Sequence, residues 1–172
     1  MKRNISIYCV AGCLLFGAYL IFSGFIKAKS TSQEMEVKAR FKGLIDAENK
    51  HDLNAVKTFI WDSENALFIS KTKSMEDGGW GAYWGTANIM THFGDLYKGI
   101  FRIDPVYSRQ RVVFLNPTVA QVYVPAKFTV SYGGNVPKPV PFLMVTLWVK
   151  SGKDWKMSTD IPLPVPQSPI SK

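Results

Sequence analysis

Between the N-terminal segment and Gly99, apolar positions recur mostly at helical spacing; from Ile100 onward they recur at every second residue. That change of period predicts helices first and strands afterwards. Val37, Phe41, Leu44 and Ile45 mark a first helix that should stop near Lys50 and His51. Asp52 stands where a cap opens a second, short helix with the stripe Leu53, Val56 and Ile60 and with Phe59 beside it. Leu67–Ser70 reads as a brief strand. A glycine and aromatic loop, Asp77–Gly85, comes next, and Thr86 is placed to cap a third helix with the stripe Ile89, Phe93, Leu96 and Tyr97, ended by Gly99.

The clearest strand alternates Ala120, Val122, Val124, Ala126, Phe128, Val130 and Tyr132 against Gln121, Tyr123, Lys127, Thr129 and Ser131. Asn116-Pro117 turns into it from Val112–Leu115, and Gly133–Asn135 turns out of it toward a strand over Pro141–Lys150. Ser151–Asp154 makes a last hairpin into Trp155–Ile161. Pro125 suggests a bulge or an edge position, since proline cannot donate to a ladder. Pro162–Lys172 is a proline-rich tail expected not to continue the sheet. Helices followed by four meandering strands predict an α+β domain, a curved antiparallel sheet wrapped around about three N-terminal helices.

A different pattern occupies the N-terminus. Ile5–Ile26 is an unbroken apolar run without charge. As a helix it spans about 33 Å, against a bilayer hydrocarbon core of about 30 Å. It is longer than the apolar region of a cleavable signal, so residues 1–28 are expected to be an uncleaved membrane anchor, with a secreted, cleaved form as the alternative. Residues 29–33 form a linker and 34–161 the globular domain. The short tail Met1–Asn4 favours export of the domain, which places it on the periplasmic side of an inner membrane. Val10-Ala-Gly-Cys13 resembles a lipobox, and a lipoprotein acylated at Cys13 is the rival reading. No cysteine follows Cys13, so the domain has no disulfide and relies on its core.

The formal net charge of +8 is spread over Lys38, Lys57, Lys73, Arg109, Lys127 and Lys156 among others, without a basic run. A nucleic-acid footprint clusters its cations, so none is expected here. Two histidines with no metal-spaced cysteine or acidic cluster argue against a metal site, and nothing points to a cofactor.

Ala39–Ala47 with His51-Asp-Leu-Asn-Ala-Val56, Trp84-Gly-Thr-Ala-Asn-Ile89, and Leu147–Trp155 with Lys156 together resemble the NTF2-like superfamily, and within it the SnoaL-like or DUF4440-type proteins. The resemblance covers Glu34 to about Ile161. It implies a conical cavity between sheet and helices that takes apolar ligands or serves as an interaction surface, and a homodimer through the sheet. It also implies a test against ketosteroid isomerase, an enzyme of that superfamily. Alignment puts Phe41 where that enzyme holds its oxyanion-binding tyrosine, Ser70 near its base aspartate and Thr146 near its protonated aspartic acid. A phenyl ring donates no hydrogen bond and neither hydroxyl is a carbon-acid base near neutral pH, so that isomerisation is not expected.

The remaining candidates for chemistry are His92, Asp46 and Asp160. His92 with Asp95 one turn on has the spacing of an acid/base pair facing the cavity; the simpler reading is a histidine on a solvated face. His51 suits a helix C-terminus. Asp46 and Asp160 read more simply as helix-surface and strand-surface charges. The expected cavity lining is Phe41, Ile45, Trp80, Tyr83, Trp84, Phe93, Phe128 and Met144. Within it Trp80, Tyr83 and Trp84 form either a lid or a hydrophobic plug, whereas Trp148 and Trp155 pack the closing hairpin. The expected function is a tethered domain binding an apolar small molecule or a protein partner without catalysis. The alternatives are a SnoaL-like isomerase, cyclase or hydratase acting on a hydrophobic substrate through His92 or Asp46, and a structural part of an envelope secretion assembly.

Overall fold

The computed structural model describes residues 32–71, 79–131 and 137–166. The run Ile5–Ile26 expected as an anchor, Cys13, the turn expected at Gly133–Asn135 and residues 167–172 lie outside them. Among the described residues no helix is long and apolar enough to cross a membrane. The chain divides into two compact units, Met1–Glu36, of which residues 32–36 are described, and Val37–Lys172, which carries the core. Residues 32 and 33, expected in the linker, are already helical.

Helix α1 covers residues 32–49. Its inward stripe is Val37, Phe41, Leu44, Ile45 and, one further turn along, Glu48, all nearly or fully buried. The helix ends because His51 takes the left-handed conformation, φ 57°. His51 N–H then donates to Glu48 C=O and Asp52 N–H to Ala47 C=O, the pair of bonds that satisfies the last free carbonyls. Glycine normally fills such a position. Here the imidazole offsets the strain, with Nε2 2.9 Å from Phe101 O and the ring stacked on Tyr97 at 4.6 Å. Asn49 holds the same end of α1 to the sheet: its Nδ2 donates to Ile103 O and its Oδ1 accepts from Ile103 N. Asp52 caps α2 (Leu53–Phe59) as the sequence predicts, accepting from Ala55 N at 2.9 Å.

Seven strands follow: β1 Leu67–Lys71, β2 Trp80–Trp84, β3 Ile100–Pro105, β4 Arg111–Asn116, β5 Val119–Ser131, β6 Val140–Ser151 and β7 Asp154–Pro164, with α3 (Thr86–Leu96) between β2 and β3. They form one sheet in the order β2-β1-β7-β6-β5-β3, and β4 shares β5 with β3. The pairing is antiparallel except between β1 and β7, which run parallel at Leu67↔Thr159 and Phe68↔Asp160. Two features differ from the sequence reading in number and kind. The residues read as an aromatic loop contain a strand, β2, and Ile100–Pro105 adds another.

The prolines show how the sheet accommodates a missing donor. Pro125 lies inside the central strand β5, neither at a bulge nor at an edge of the sheet. Its carbonyl accepts from Val106 N at 2.8 Å, so its nitrogen faces the same side. On that side the β3 ladder ends at Ala126 and the β4 ladder starts at Tyr123, and the gap is spanned by a 3₁₀ turn, Tyr107–Arg109. Pro125 therefore sits where no ladder needs its N–H. The tail also continues the sheet further than expected, to Pro164. Val165 N donates to Pro141 O, so by alternation Leu163 and Ile161 also face β6 with their N–H groups, and Pro162 and Pro164 face away.

Two connections are held differently from expectation. The N-cap of α3 is Gly85, at φ 80°, not Thr86. The Thr86 hydroxyl instead donates to Trp61 O and accepts from Ser63 N, tying α3 to the segment before β1. Gly99 is needed for contact: a Cβ there would stand 2.2 Å from Ser131 O.

The inner face of the sheet presents Ala120, Val122, Val124 and Ala126 of β5, Met144, Thr146 and Trp148 of β6, and Trp155 and Met157 of β7 to the helices. Trp148 and Trp155 are the largest fully buried side chains, in keeping with their expected packing role. On the opposite face β6 shows Leu143, Val145, Leu147 and Val149, all half-buried.

Candidate functional site

At one end of the wrapped sheet the inner face does not close. The last inward residues of β5 and the first of β3 and β6 leave a cavity of about 340 Å³, open to solvent. Its wall is apolar: Phe68 of β1, Trp80 of β2, Leu96 of α3, Phe101 of β3, Phe128 and Val130 of β5, Val140 and Phe142 of β6, and Pro162 and Pro164 of β7. Ser70, Lys71 and Lys138 complete it. Phe128 and Phe142 stack across the β5–β6 pair at 4.5 Å, and Lys71 Nζ lies 4.8 Å from the centre of the Trp80 ring.

Asp160 stands one inward position deeper on β7 than Pro162, a step of about 7 Å along a strand. It pairs with Phe68 on one side and Thr146 on the other. Its carboxylate is 2% exposed, and Oδ1 has no hydrogen-bond partner. Glu48, 1% exposed on α1, also lacks a partner at both oxygens. Burial pushes the Asp160 carboxyl up to about 7. Burial and the neighbouring Asp160 charge push Glu48 well above the carboxylate range. Glu48 also acts on Tyr97 and Tyr107, whose hydroxyls are both raised, chiefly by burial. Tyr97 Oη is likewise unpartnered. An acidic centre thus lies behind the apolar pocket, and a carboxyl kept neutral near pH 7 can donate a hydrogen bond or a proton.

The expected residues divide. Of the expected lining, Trp80 and Phe128 line the pocket; Ser70, aligned near the isomerase base position, lines it too. Phe41, Ile45, Phe93 and Met144 are fully buried in the core and do not line it. Tyr83 stacks on His92 at 3.9 Å. Trp84 is 53% exposed and lines a separate polar groove of about 580 Å³ with Asp62, Ser63, Glu64 and Asn88. The three aromatic residues of 80–84 are therefore neither one lid nor one plug; they belong to an edge strand whose side chains part to two faces.

His92 is buried between Phe68 and Tyr83, not on a solvated face. Burial lowers it to about 4 against the opposing pull of Asp95. Asp95 is exposed and paired with Lys98 at 2.7 Å, so the two do not form an interior acid/base couple. Asp46 is exposed and bonded to Lys42 at 2.6 Å, outside the interior. Asp160, read as a strand-surface charge, is interior because Ser158 adds an extra residue at the β6–β7 irregularity and shifts the inward parity of β7. Thr146 is fully buried and accepts from Trp148 Nε1 at 2.8 Å. Glu48 was legible as an acid seven residues after Phe41 on the apolar stripe.

No family model matches the sequence, and no curated protein matches it. Solved structures do. An NTF2-like superfamily protein from Salmonella enterica serovar Typhimurium superposes with a TM-score of 0.64 at 12% identity over 83% of this chain and 98% of its own. A ketosteroid isomerase-like protein from Erwinia carotovora atroseptica gives 0.61 at 15% identity, covering 78% and 98%. An NTF2-like family protein from Streptomyces avermitilis gives 0.61 at 11%, covering 79% and 99%. The chain has the NTF2-like fold. At these identities the likeness is one of fold, and function rests on the site.

Proposed function

We propose that this domain binds a small apolar ligand in the pocket walled by Phe68, Phe101, Phe128 and Phe142, and that Ile5–Ile26 tethers it to a membrane. The observation that carries the binding reading is an open cavity of about 340 Å³ whose wall is mostly aromatic and aliphatic. This is the size and character of small-molecule sites, where area removed from water drives binding. The neutral dye N-phenyl-1-naphthylamine should brighten on binding the isolated domain. Val130→Trp, which places an indole in the cavity from a half-buried strand end, should weaken that binding at least about tenfold, a loss of roughly 1.4 kcal/mol. Equal dye affinity in a folded Val130→Trp protein would place the ligand elsewhere. Tethering predicts that the full chain stays with membranes after alkaline carbonate washing; release into the soluble fraction removes that part of the reading.

One observation favours a second reading, an acid-base enzyme on the same pocket: the buried carboxyls of Asp160 and Glu48, with Asp160 Oδ1 and both Glu48 oxygens unpartnered. Asp160→Asn would then bind ligand as the parent does and turn nothing over, and turnover that survives the substitution excludes Asp160 as the acid.

A further inference from the structure

We propose that the occupant of the pocket is a single-chain amphiphile with an anionic head, its tail between the phenylalanines and its head at Lys71 and Lys138. This deepens the apolar-ligand reading and rests on it. Two of the described lining residues are charged, both are lysines, and none is acidic. They are also placed at the mouth. Lys71 ends β1, its ammonium held over Trp80. Lys138 is exposed and precedes β6.

In the sheet β1 and β6 are the two neighbours of β7, so the lysines flank the end of the strand whose Pro162 and Pro164 form the wall between them. A ligand without charge gains nothing from the two ammonium groups. An anionic head can stay at the mouth in contact with water and both ammonium groups while its chain displaces water from the ring-lined interior. Long lysine stems suit that arrangement, since they lie along apolar surface with the charge outward. The head also gains more from hydrogen bonds to charged donors than a neutral head does. The positive balance of the chain, +8, adds attraction at longer range.

The test is displacement of N-phenyl-1-naphthylamine from the isolated domain by dodecanoate, dodecanol and dodecyltrimethylammonium, each below its micelle-forming concentration. Dodecanoate is expected to compete about tenfold better than dodecanol, and the cationic amphiphile worst. In the Lys71→Met, Lys138→Met double variant the gap between dodecanoate and dodecanol should close; raising salt should narrow it in the parent. Equal competition by dodecanoate and dodecanol in the parent overturns the anionic head but leaves the apolar-ligand reading standing. Failure of all three to displace bound dye overturns both. A gap that persists in the double variant assigns the head to other residues and overturns the lysine assignment.

Discussion

Asp160→Asn is expected to gain stability relative to the parent as pH rises, by up to about 4 kcal/mol between pH 4 and 7.5. Burial raises the Asp160 carboxyl from its ordinary 3.8 to about 7. The folded state therefore binds a proton that the unfolded chain has released, and linkage makes the parent lose stability as pH climbs through that interval. A shift of about three units at 1.36 kcal/mol each gives the magnitude. His92 acts in the opposite sense. Its folded value of about 4 lies below the ordinary 6.5, so its burial costs most at low pH and the cost disappears as pH rises. The parent alone consequently shows a shallow curve, and the difference between variant and parent isolates Asp160. Glu48 is raised in the same direction, so Glu48→Gln added to Asp160→Asn should extend the gain at high pH. Urea unfolding of both proteins at half-unit pH steps measures it. A difference that does not change with pH means that the carboxyl is solvated in solution.

Trp148→Ala is expected to cost about 3–5 kcal/mol, the range for deleting a large buried aromatic. Set against the 5–15 kcal/mol typical of such domains, the loss is a large share of the total stability. Trp148 is fully buried, its ring centre 6.4 Å from that of Phe41, and its Nε1 donates to Thr146 Oγ1. It thus joins α1 to β6 at the centre of the sheet. Trp148→Phe keeps most of the apolar volume and removes the donor. The Thr146 hydroxyl must then find another partner, a change worth about 1–3 kcal/mol. Equilibrium denaturation separates the two variants. An alanine variant within about 1 kcal/mol of the parent contradicts this account of the core.

Legibility followed the range of the interactions involved. The apolar stripe of α1, the Asp52 cap and the alternation of β5 are set by neighbours a few residues away, and the sequence shows them. Strand β2 was not visible as a strand. Its five residues contain a glycine and an alanine among three aromatics, and they are extended because β1 offers a ladder on one side. The same distance in sequence hides the acidic centre. Glu48 and Asp160 lie 112 residues apart and meet because α1 packs on the inner face of β7's sheet. Asp160 faces inward only because of the irregularity beside Ser158, a one-residue change of parity that no alternation pattern reveals.

By itself the sequence determined the three helices, the long paired strands after α3, the inward stripes and the absence of a disulfide in the domain, because periodicity, capping and composition act locally; that β1 and β2 pair ahead of α3 came from the tertiary structure. Only the tertiary structure decided which aromatics surround a cavity and which fill the core. Phe93 and Phe128 look alike in their stripes, yet one is sealed in the core and the other lines the open pocket. The physical reason is that a pocket is where packing stops. That depends on the side chains at the ends of β1, β3, β5, β6 and β7 failing to meet across the interior, and no single segment encodes it.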